Sequence, residues 1–241
     1  MPFLIKAKTI ANEFPNRYPF TVASIKNGFE IDFKSNVTFL VGENGSGKST
    51  ILEAIADLIG FNLSGGTKNS NYNFQNTESD LSNFMRLSWQ SKISQGFFMR
   101  AESFFNFASY VDKLQEENKG IDVYEAYGGK SLHYQSHGES FLAMFQNLPT
   151  KGIYILDEPE AALSPQRQLS FLAIINQLEK SGNAQFIIAT HSPILLSYPN
   201  AIVLNIDNNL EKINYQETEH FKITKEFLNN PESYFRHLFD Q

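Results

Sequence analysis

The chain has 241 residues, of which 41% are hydrophobic, and it contains no cysteine. A chain of this length can bury a full hydrophobic core, and the lack of cysteine excludes disulfides and thiolate metal sites. The net charge of −6 argues against a generally basic surface that coats nucleic acid. No run approaches the roughly 18 apolar residues that cross a bilayer, and the first residues lack the apolar region of a secretory signal, so we expect a cytoplasmic protein.

Short apolar runs alternate with helical patterns along the chain, which is typical of a mostly parallel sheet covered by helices. The predicted strands are, in chain order, FLIKAKTI, FEIDF, VTFLV, FFMRAE, GIYILD, QFIIAT and AIVLNI. The predicted helices begin near Lys48, Glu102, Gly138, Pro165 and Thr224. Residues 65–83 are rich in Asn, Ser and Gly and indicate a loop. We therefore predict one α/β domain over residues 1–241, with a small helical subdomain inserted at residues 62–149.

The helix that begins at Pro165 has the clearest sequence signals. Ser164 can act as its N-cap with proline in the first turn, and Gly182 follows its last periodic residue. Its apolar positions recur at helical spacing and predict one buried face, made of Phe171, Ile174, Ile175 and Leu178.

The stretch GENGSGKST, residues 42–50, lies between an apolar run and a helical pattern and fits the spacing G-x-x-x-x-G-K-[ST]. Glycines let successive backbone N–H groups converge on phosphate oxygens, and the following helix turns its positive end toward the same anion. We expect Lys48 to reach the β- and γ-phosphates of a nucleotide, Ser49 to ligate Mg²⁺ and Thr50 to contact an α-phosphate oxygen. The residues predicted to bind the phosphates are Asn44, Gly45, Ser46, Gly47, Lys48, Ser49 and Thr50.

The run GIYILDEPE places two carboxylates, Asp157 and Glu158, directly after a strand that must be buried. Acidic groups at the carboxyl end of a central parallel strand lie beside a phosphate loop, where Asp157 can hold the Mg²⁺ shell. Glu158 can then orient and deprotonate an attacking water molecule. The alternative is a solvated turn at the end of the strand, which Pro159 favours.

Two further stretches carry polar groups at the ends of elements. QFIIATHSP ends an apolar strand in His191, which can hydrogen-bond a γ-phosphate and sense its loss, although a lone histidine is more often structural. In QSHGES, Ser136 and Glu139 form the pattern of a capping box for the helix that follows. The same helix N-terminus is an anion site, and both interpretations hold if the phosphate comes from another chain.

The order GENGSGKST, SHGES, ILDEPEAALSP and IIATHSP over residues 42–193 resembles the ATP-binding cassette superfamily: Walker A, signature, Walker B with D-loop, and switch histidine. The signature departs from the transporter type, because His137 replaces a glycine and Glu139 stands where glutamine is usual. Ser164 replaces the common D-loop aspartate. These variants are more similar to soluble RecF-like and chromosome-maintenance ATPases, and to small stand-alone ATPases. The resemblance implies a P-loop NTPase fold, with a mostly parallel central sheet and an antiparallel edge sheet.

The resemblance also implies a homodimer that encloses two ATP molecules, in which Ser136 and Gly138 of one chain face the phosphate held by the other. Glu102 stands near the position where the family has a glutamine that contacts Mg²⁺, while Gln95 lies before the strand. An aromatic residue ahead of the loop is expected to stack on adenine, and the candidates are Tyr18 and Phe20, either of which equally suits a core.

The function that these features predict is an ATPase switch or motor that acts on a partner, with Glu158 and His191 as its catalytic residues. A nucleotide-regulated subunit of a DNA-repair, defence or transport assembly, with little turnover of its own, is the alternative. A GTPase or small-molecule kinase shares the phosphate loop. The partner is a protein or DNA; because the basic residues are scattered, DNA contact would be confined to a small face, near Arg86, Lys92 and Arg100.

Overall fold

The computed structural model describes residues 1–11, 13–63, 80–100, 104–118 and 120–239. Its strands are β1 Leu4–Thr9, β2 Glu30–Asp32, β3 Val37–Val41, β4 Met85–Trp89, β5 Gly96–Arg100, β6 Gly152–Asp157, β7 Ala184–Ala189, β8 Ile202–Asn205 and β9 Glu211–Ile213. Its helices are α1 Lys48–Ile59, α2 Phe104–Glu117, α3 His137–Gln146, α4 Pro165–Lys180, α5 Pro193–Leu196, α6 Glu219–Asn229 and α7 Pro231–Leu238.

The strands form two sheets of different kinds. The larger sheet has the order β5-β6-β7-β3-β8-β9, and all its neighbours pair in parallel except β8 with β9. The smaller sheet has the order β2-β1-β4 and is antiparallel. The predicted α/β fold, a mostly parallel sheet with an antiparallel sheet beside it, is therefore confirmed.

The central strands are buried on both faces because each face packs against a separate apolar layer. Alternation along β6 divides its side chains, so that Tyr154 and Leu156 join one core cluster while Ile153 and Ile155 join the other. The first cluster includes the α4 face predicted from the sequence, whose members Phe171, Ile174, Ile175 and Leu178 are all buried. The second cluster includes α1 and the inner face of β1.

Register brings the carboxyl ends of three strands to one edge of the larger sheet. Leu40 of β3 pairs with Ala189 of β7, and Asp157 of β6 pairs with the same Ala189. The segments that follow these strands are the glycine-rich loop, the acidic turn and the residues that lead to His191. The topology therefore places three separate sequence motifs side by side.

The observed elements differ from the predicted ones at the edges. Strands β4 and β9 were not predicted, because neither contains a continuous apolar run: β4 is a five-residue strand in which Met85 is the one buried residue, and the three-residue β9 has none. The C-terminal helix begins at Glu219, five positions before the predicted start at Thr224, with Thr218 as its cap. Residues 64–79, most of the predicted loop, lie outside the described residues. Within the described chain, none of the helices has the length and apolarity to cross a membrane.

Candidate active site

The glycine-rich loop connects β3 to α1 through backbone conformations that require glycine. Gly45 and Gly47 have φ angles of 80° and 101°, which L side chains rarely adopt. A Cβ atom on Gly47 would also lie 2.8 Å from Ser24 Oγ, whose hydroxyl donates to the carbonyl of Ser46. Gly47 is the N-cap of α1 and provides no side-chain cap, so the first N–H groups of this 12-residue helix remain open to an anion.

Lys48 lies along the inside of this loop. Its ammonium donates to the carbonyls of Gly42 and Glu43, at 2.7 and 2.9 Å, and the residue is only 4% exposed. Burial lowers the pKa of Lys48, while Glu158 is the first of several carboxylates that act in the opposite direction. The loop is therefore built around a buried cation that donates its hydrogen bonds to backbone carbonyls.

A cavity of about 190 Å³ opens beside the loop and is lined by Tyr18, Asn44, Gly45, Lys48, Thr50, Glu158 and neighbouring residues. Tyr18 is 69% exposed, and its hydroxyl lies 2.9 Å from Thr50 Oγ1. Phe20, the other aromatic candidate, is buried, stacks on Phe14 and makes an edge-on contact with Phe84. The structure therefore puts Tyr18 at the cavity and Phe20 in the core.

Asp157 ends β6 as a buried carboxylate with two different oxygens. Its Oδ2 accepts from Arg100 Nε at 3.2 Å, while its Oδ1 is buried without a hydrogen-bond partner. Burial raises the pKa of Asp157, and hydrogen bonds from Ser49 and Arg100 lower it in part. An unpartnered buried oxygen beside a serine hydroxyl is a donor set that fits Mg²⁺, which usually takes few protein ligands and keeps several waters.

Glu102 and Gln95 are the two candidates for a further contact with Mg²⁺. Glu102 lies outside the described residues. Gln95 precedes β5, and its carbonyl accepts from the N–H of Ile153 at the start of β6. Asp157 is four residues further along β6, about 13 Å away at the usual rise per residue. Gln95 is therefore at the end of the sheet opposite the acidic edge.

Glu158 is held in an unusual backbone conformation. Its φ and ψ are 50° and 52°, a left-handed conformation that costs about 1–3 kcal/mol for a residue other than glycine. Its N–H donates to the carbonyl of Ala189 at 2.9 Å, which fixes the turn to β7. The carboxylate lines the cavity with Lys48 and is about half exposed. Backbone strain of this kind is concentrated at functional sites.

His191 packs against this acidic turn from the end of β7. Its backbone N–H donates to Glu160 Oε1 at 2.6 Å, and its Nε2 lies 3.4 Å from Glu158 Oε1. Both ring nitrogens are buried without a hydrogen bond, and the ring packs at a tilt against His220 of α6, with 4.3 Å between the ring centroids. Burial, with the charges of Lys48 and His220, lowers the pKa of His191 to about 4. The imidazole is therefore neutral near pH 7, with one nitrogen able to donate.

This low pKa predicts an acid-sensitive contribution to stability. The unfolded chain takes up a proton on His191 near its ordinary pKa of 6.5, whereas the folded chain does so only near 4. The free energy of unfolding should thus fall as the pH drops from 6.5 toward 4. In the His191→Gln variant this fall should be smaller by about 1 kcal/mol, a figure that allows for the partial solvent contact of the ring. Urea unfolding at several pH values measures the difference, with the exposed His237→Gln as control; equal pH profiles for His191→Gln and the parent would contradict the assignment.

Ser136 and Gly138 lie at the N-terminus of α3 and do not line this cavity. The predicted capping box is present, since the N–H of Ser136 donates to Glu139 Oε2 at 3.2 Å. Within the described chain, Ser136 and Gly138 also contact Arg167 of α4, whose guanidinium lies 3.0 Å from Ser136 Oγ. One chain therefore brings together the glycine-rich loop, the acidic turn and His191, but places the Ser136 turn elsewhere.

Several residues that hold this site together had no sequence signal. Asp207 accepts from the N–H of Glu43 at 2.7 Å and so supports the glycine-rich loop from behind. His220, Arg100 and Arg167 contact His191, Asp157 and Ser136 respectively. All four come from elements distant in sequence from the groups that they touch, and none belongs to a local motif.

Arg100 is an internal ion-pair residue, not a surface cation. It pairs with Glu53 of α1 as well as with Asp157, and less than a third of its side chain is exposed. Arg100 is one of the three basic residues considered for a DNA-binding face, and these two ion pairs hold its guanidinium inside the chain. Burial raises the pKa of Glu53, and the neighbouring Asp157 contributes in the same direction.

Removing this cation should destabilise the fold in a pH-dependent manner. In Arg100→Gln, the buried Asp157 and the partly buried Glu53 face each other without a compensating cation, and we expect the free energy of unfolding to fall by roughly 2–3 kcal/mol at pH 7.5. Because the folded-state pKa values of both acids then lie further above the unfolded ones, the loss should shrink at pH 5. Chemical unfolding at both pH values tests this, with the exposed Arg86→Gln as control; a loss that is the same at both pH values would contradict it.

The sequence is similar to those of known proteins. The sequence matches the AAA domain family AAA_23 over residues 21–233. The ATP-binding protein TupC of the tungstate uptake system of Campylobacter jejuni is 29% identical over 193 residues, which are 76% of this chain and 56% of that protein. The chain thus spans little more than half the length of this curated relative.

Two solved structures share the fold. The first is cbiO1 from Clostridium perfringens, part of the ABC transporter complex cbiONQ, at a TM-score of 0.53 with 18% identity over 99% of this chain and 100% of that one. The second is a metal-chelate type ABC transporter in an inward-facing conformation, at a TM-score of 0.52 with 17% identity over 92% of this chain and 88% of that one. At these identities the likeness concerns the fold alone.

Proposed function

We propose that this chain, which belongs to the AAA domain family AAA_23, hydrolyses ATP with Mg²⁺. Membership of this family supports ATP binding. We propose further that ATP closes a homodimer and that hydrolysis opens it, so that a partner can read the change. This proposal rests on one cavity. The buried Lys48 and the strained Glu158 both line it, and the loop beside it leaves the first N–H groups of α1 without a side-chain cap.

The nucleotide phosphates are assigned to the loop between β3 and α1. Lys48 would exchange its two carbonyl partners for phosphate oxygens. The open N–H groups of α1 and the residues Asn44 to Thr50 would supply the remaining donors. Tyr18, exposed at the mouth of the cavity, is proposed to stack on adenine.

The metal is assigned to Ser49 and Asp157, with Glu102 as the further candidate. Bound there, Mg²⁺ would neutralise charge that develops on the phosphate oxygens. Arg100 holds Asp157 Oδ2, which leaves the unpartnered Oδ1 for the cation. The chain therefore presents one carboxylate oxygen in a fixed direction.

Hydrolysis is assigned to Glu158, with His191 as its neighbour. Glu158 would accept the proton of the attacking water, because it is the carboxylate that is both exposed to the cavity and close to Lys48. His191 is neutral and holds an unpartnered nitrogen, so it can donate to the γ-phosphate without adding charge. Glu160 fixes the position of His191 through its backbone N–H.

The dimer is proposed because the Ser136 turn lies away from the cavity of its own chain. A second copy would bring Ser136 and Gly138 to the phosphates as anion donors at the N-terminus of α3. We also propose that residues 62–149 form the inserted subdomain that carries this turn. A partner beyond the homodimer is proposed to be a protein or DNA.

The activity is tested by phosphate release in the steady state. We expect Mg²⁺-dependent release from ATP, loss of release with EDTA, and weak competition by GTP. Equal use of GTP would favour the GTPase alternative, and ATP binding without release would favour a nucleotide-regulated subunit. Adding DNA to the same assay tests that partner, and a pull-down with the ATP-trapped protein tests for protein partners.

A further inference from the structure

The turn that opens α3 is joined to α4 by one arginine with three separate contacts. Arg167 donates through Nη1 to Ser136 Oγ at 3.0 Å and pairs through Nη2 with Glu139 Oε1 at 3.2 Å. It also lies against Gly138, where an added Cβ would be 2.5 Å from Arg167 Cδ and Nη1. Gly138 is therefore the residue that lets Arg167 approach the turn.

The direction of the Ser136 hydrogen bond has a chemical consequence. A hydroxyl group has one proton to donate and two lone pairs that accept. Within the chain, Ser136 Oγ accepts from Arg167 Nη1, and the Ser136 hydroxyl is also hydrogen-bonded to the Glu139 carboxylate. A phosphate of a second molecule would therefore replace Glu139 as the acceptor of the hydroxyl proton, while Arg167 holds the serine oxygen and pairs with the carboxylate. Ser136 is exposed, so its hydroxyl is within reach of a second molecule.

The geometry of arginine suits this position and that of lysine does not. The two terminal nitrogens of Arg167 serve different acceptors, the hydroxyl of Ser136 and the carboxylate of Glu139. A lysine ammonium is a single point charge that cannot span both acceptors with the same rigidity. Glu139 also accepts from the N–H of Ser136, so the carboxylate, the guanidinium and the hydroxyl fix one another.

Arg167 also connects this turn to the acidic end of β6. It lies in the first turn of α4, which follows Glu158 through the short 3₁₀ turn Pro159–Ala162 and the N-cap Ser164. Glu158 and Ser136 are thus linked through this turn, the start of α4 and the Arg167 side chain. Ser136, which is exposed, and Glu158, which faces the cavity, therefore belong to one connected unit.

We propose that Arg167 is a positioning residue for the ATP-dependent dimer: it orients the Ser136 hydroxyl toward the phosphate bound by the partner copy and couples it to Glu158 of its own chain. This inference rests on the proposed function, because Ser136 meets a phosphate only across the dimer. Arg167 itself is assigned no contact with the nucleotide.

The test compares dimerisation with nucleotide binding in the Glu158→Gln background. Sedimentation at increasing protein concentration with ATP gives the midpoint of dimerisation, and a fluorescent ATP analogue at low protein concentration gives the affinity of the monomer. Arg167→Ala should raise the dimerisation midpoint about tenfold or more, with monomer affinity and melting temperature unchanged. Arg167→Lys should recover only part of the loss. Gln166→Ala, an exposed neighbour on the same helix turn, is the matched control.

A double-substitution cycle separates positioning from an independent contact. If Arg167 acts through the Ser136 hydroxyl, Ser136→Ala with Arg167→Ala should dimerise no worse than Ser136→Ala alone. Gly138→Ala, which displaces Arg167 without removing it, should resemble Arg167→Ala. The positioning role of Arg167 would be overturned if the two substitutions raised the dimerisation midpoint by independent factors that multiply in the double variant. It would also be overturned if Arg167→Ala had the same midpoint as the parent; in both cases the proposed dimer would stand. A parent that stays monomeric with ATP would overturn the proposed dimer and this inference together.

Discussion

Replacing Glu158 by glutamine is expected to reduce ATP hydrolysis by about 10²- to 10⁴-fold while ATP binding is retained. Glutamine keeps the size of the side chain but cannot accept the proton of the attacking water. Asp157 and Ser49, which are assigned to the metal, are not changed. The bound triphosphate should therefore persist, and the proposed dimer should accumulate.

The measurement is phosphate release in single turnover, together with retention of labelled ATP after gel filtration. Glu116→Gln, a carboxylate-to-amide change on the exposed side of α2, is the control and should behave like the parent. Because the left-handed conformation of Glu158 comes from the backbone, glutamine should adopt it at a similar cost and the fold should be unchanged. Hydrolysis by Glu158→Gln at the parental rate would show that Glu158 is not the base.

Replacing Lys48 by alanine is expected to weaken ATP binding by about tenfold to a hundredfold or more, because hydrogen bonds to charged groups contribute roughly 1.5–3 kcal/mol each. Lys48 is the cation inside the glycine-rich loop, and its partners there are two carbonyls that other donors or water can satisfy. Burial already lowers the pKa of Lys48, so removing a desolvated ammonium should cost the apo fold little.

Isothermal titration with ATP and thermal unfolding of the free protein together test this expectation. Lys34→Ala, which removes an exposed lysine just before β3, is the control for the loss of one positive charge. Unchanged ATP affinity in Lys48→Ala would contradict the assignment of the phosphates to this loop. Loss of affinity together with loss of folded protein would instead identify Lys48 as a structural residue.

Elements with strong local signals were predictable from the sequence. Helix α4 begins at Pro165 after Ser164, and its four predicted core positions are buried. The buried strands β3, β6 and β7 were recognisable because both their faces are covered and their residues read as continuous apolar runs. Strands β4 and β9 lacked such runs, so only pairing with a neighbouring strand defines them.

The family of the chain followed from the order of its motifs, whereas their supporting partners did not. The spacing of the loop, the acidic turn and the histidine predicts one edge of a sheet, because parallel strands end on the same side. Tyr18 and Phe20 are two residues apart and equally aromatic, and only packing separates an exposed ring at the cavity from a buried one. Sequence spacing could not distinguish them.

The backbone chemistry of the loop and the identity of the groups at the strand ends could be predicted locally, since glycine spacing and the residue after a buried strand are local properties. Which distant side chains orient those groups depends on the folded chain: Arg100 contacts Asp157, His220 contacts His191 and Arg167 contacts Ser136. The physical reason is that hydrogen bonds and ion pairs act over a few ångströms in space. Strand register and helix packing, which depend on the whole chain, determine which residues come that close.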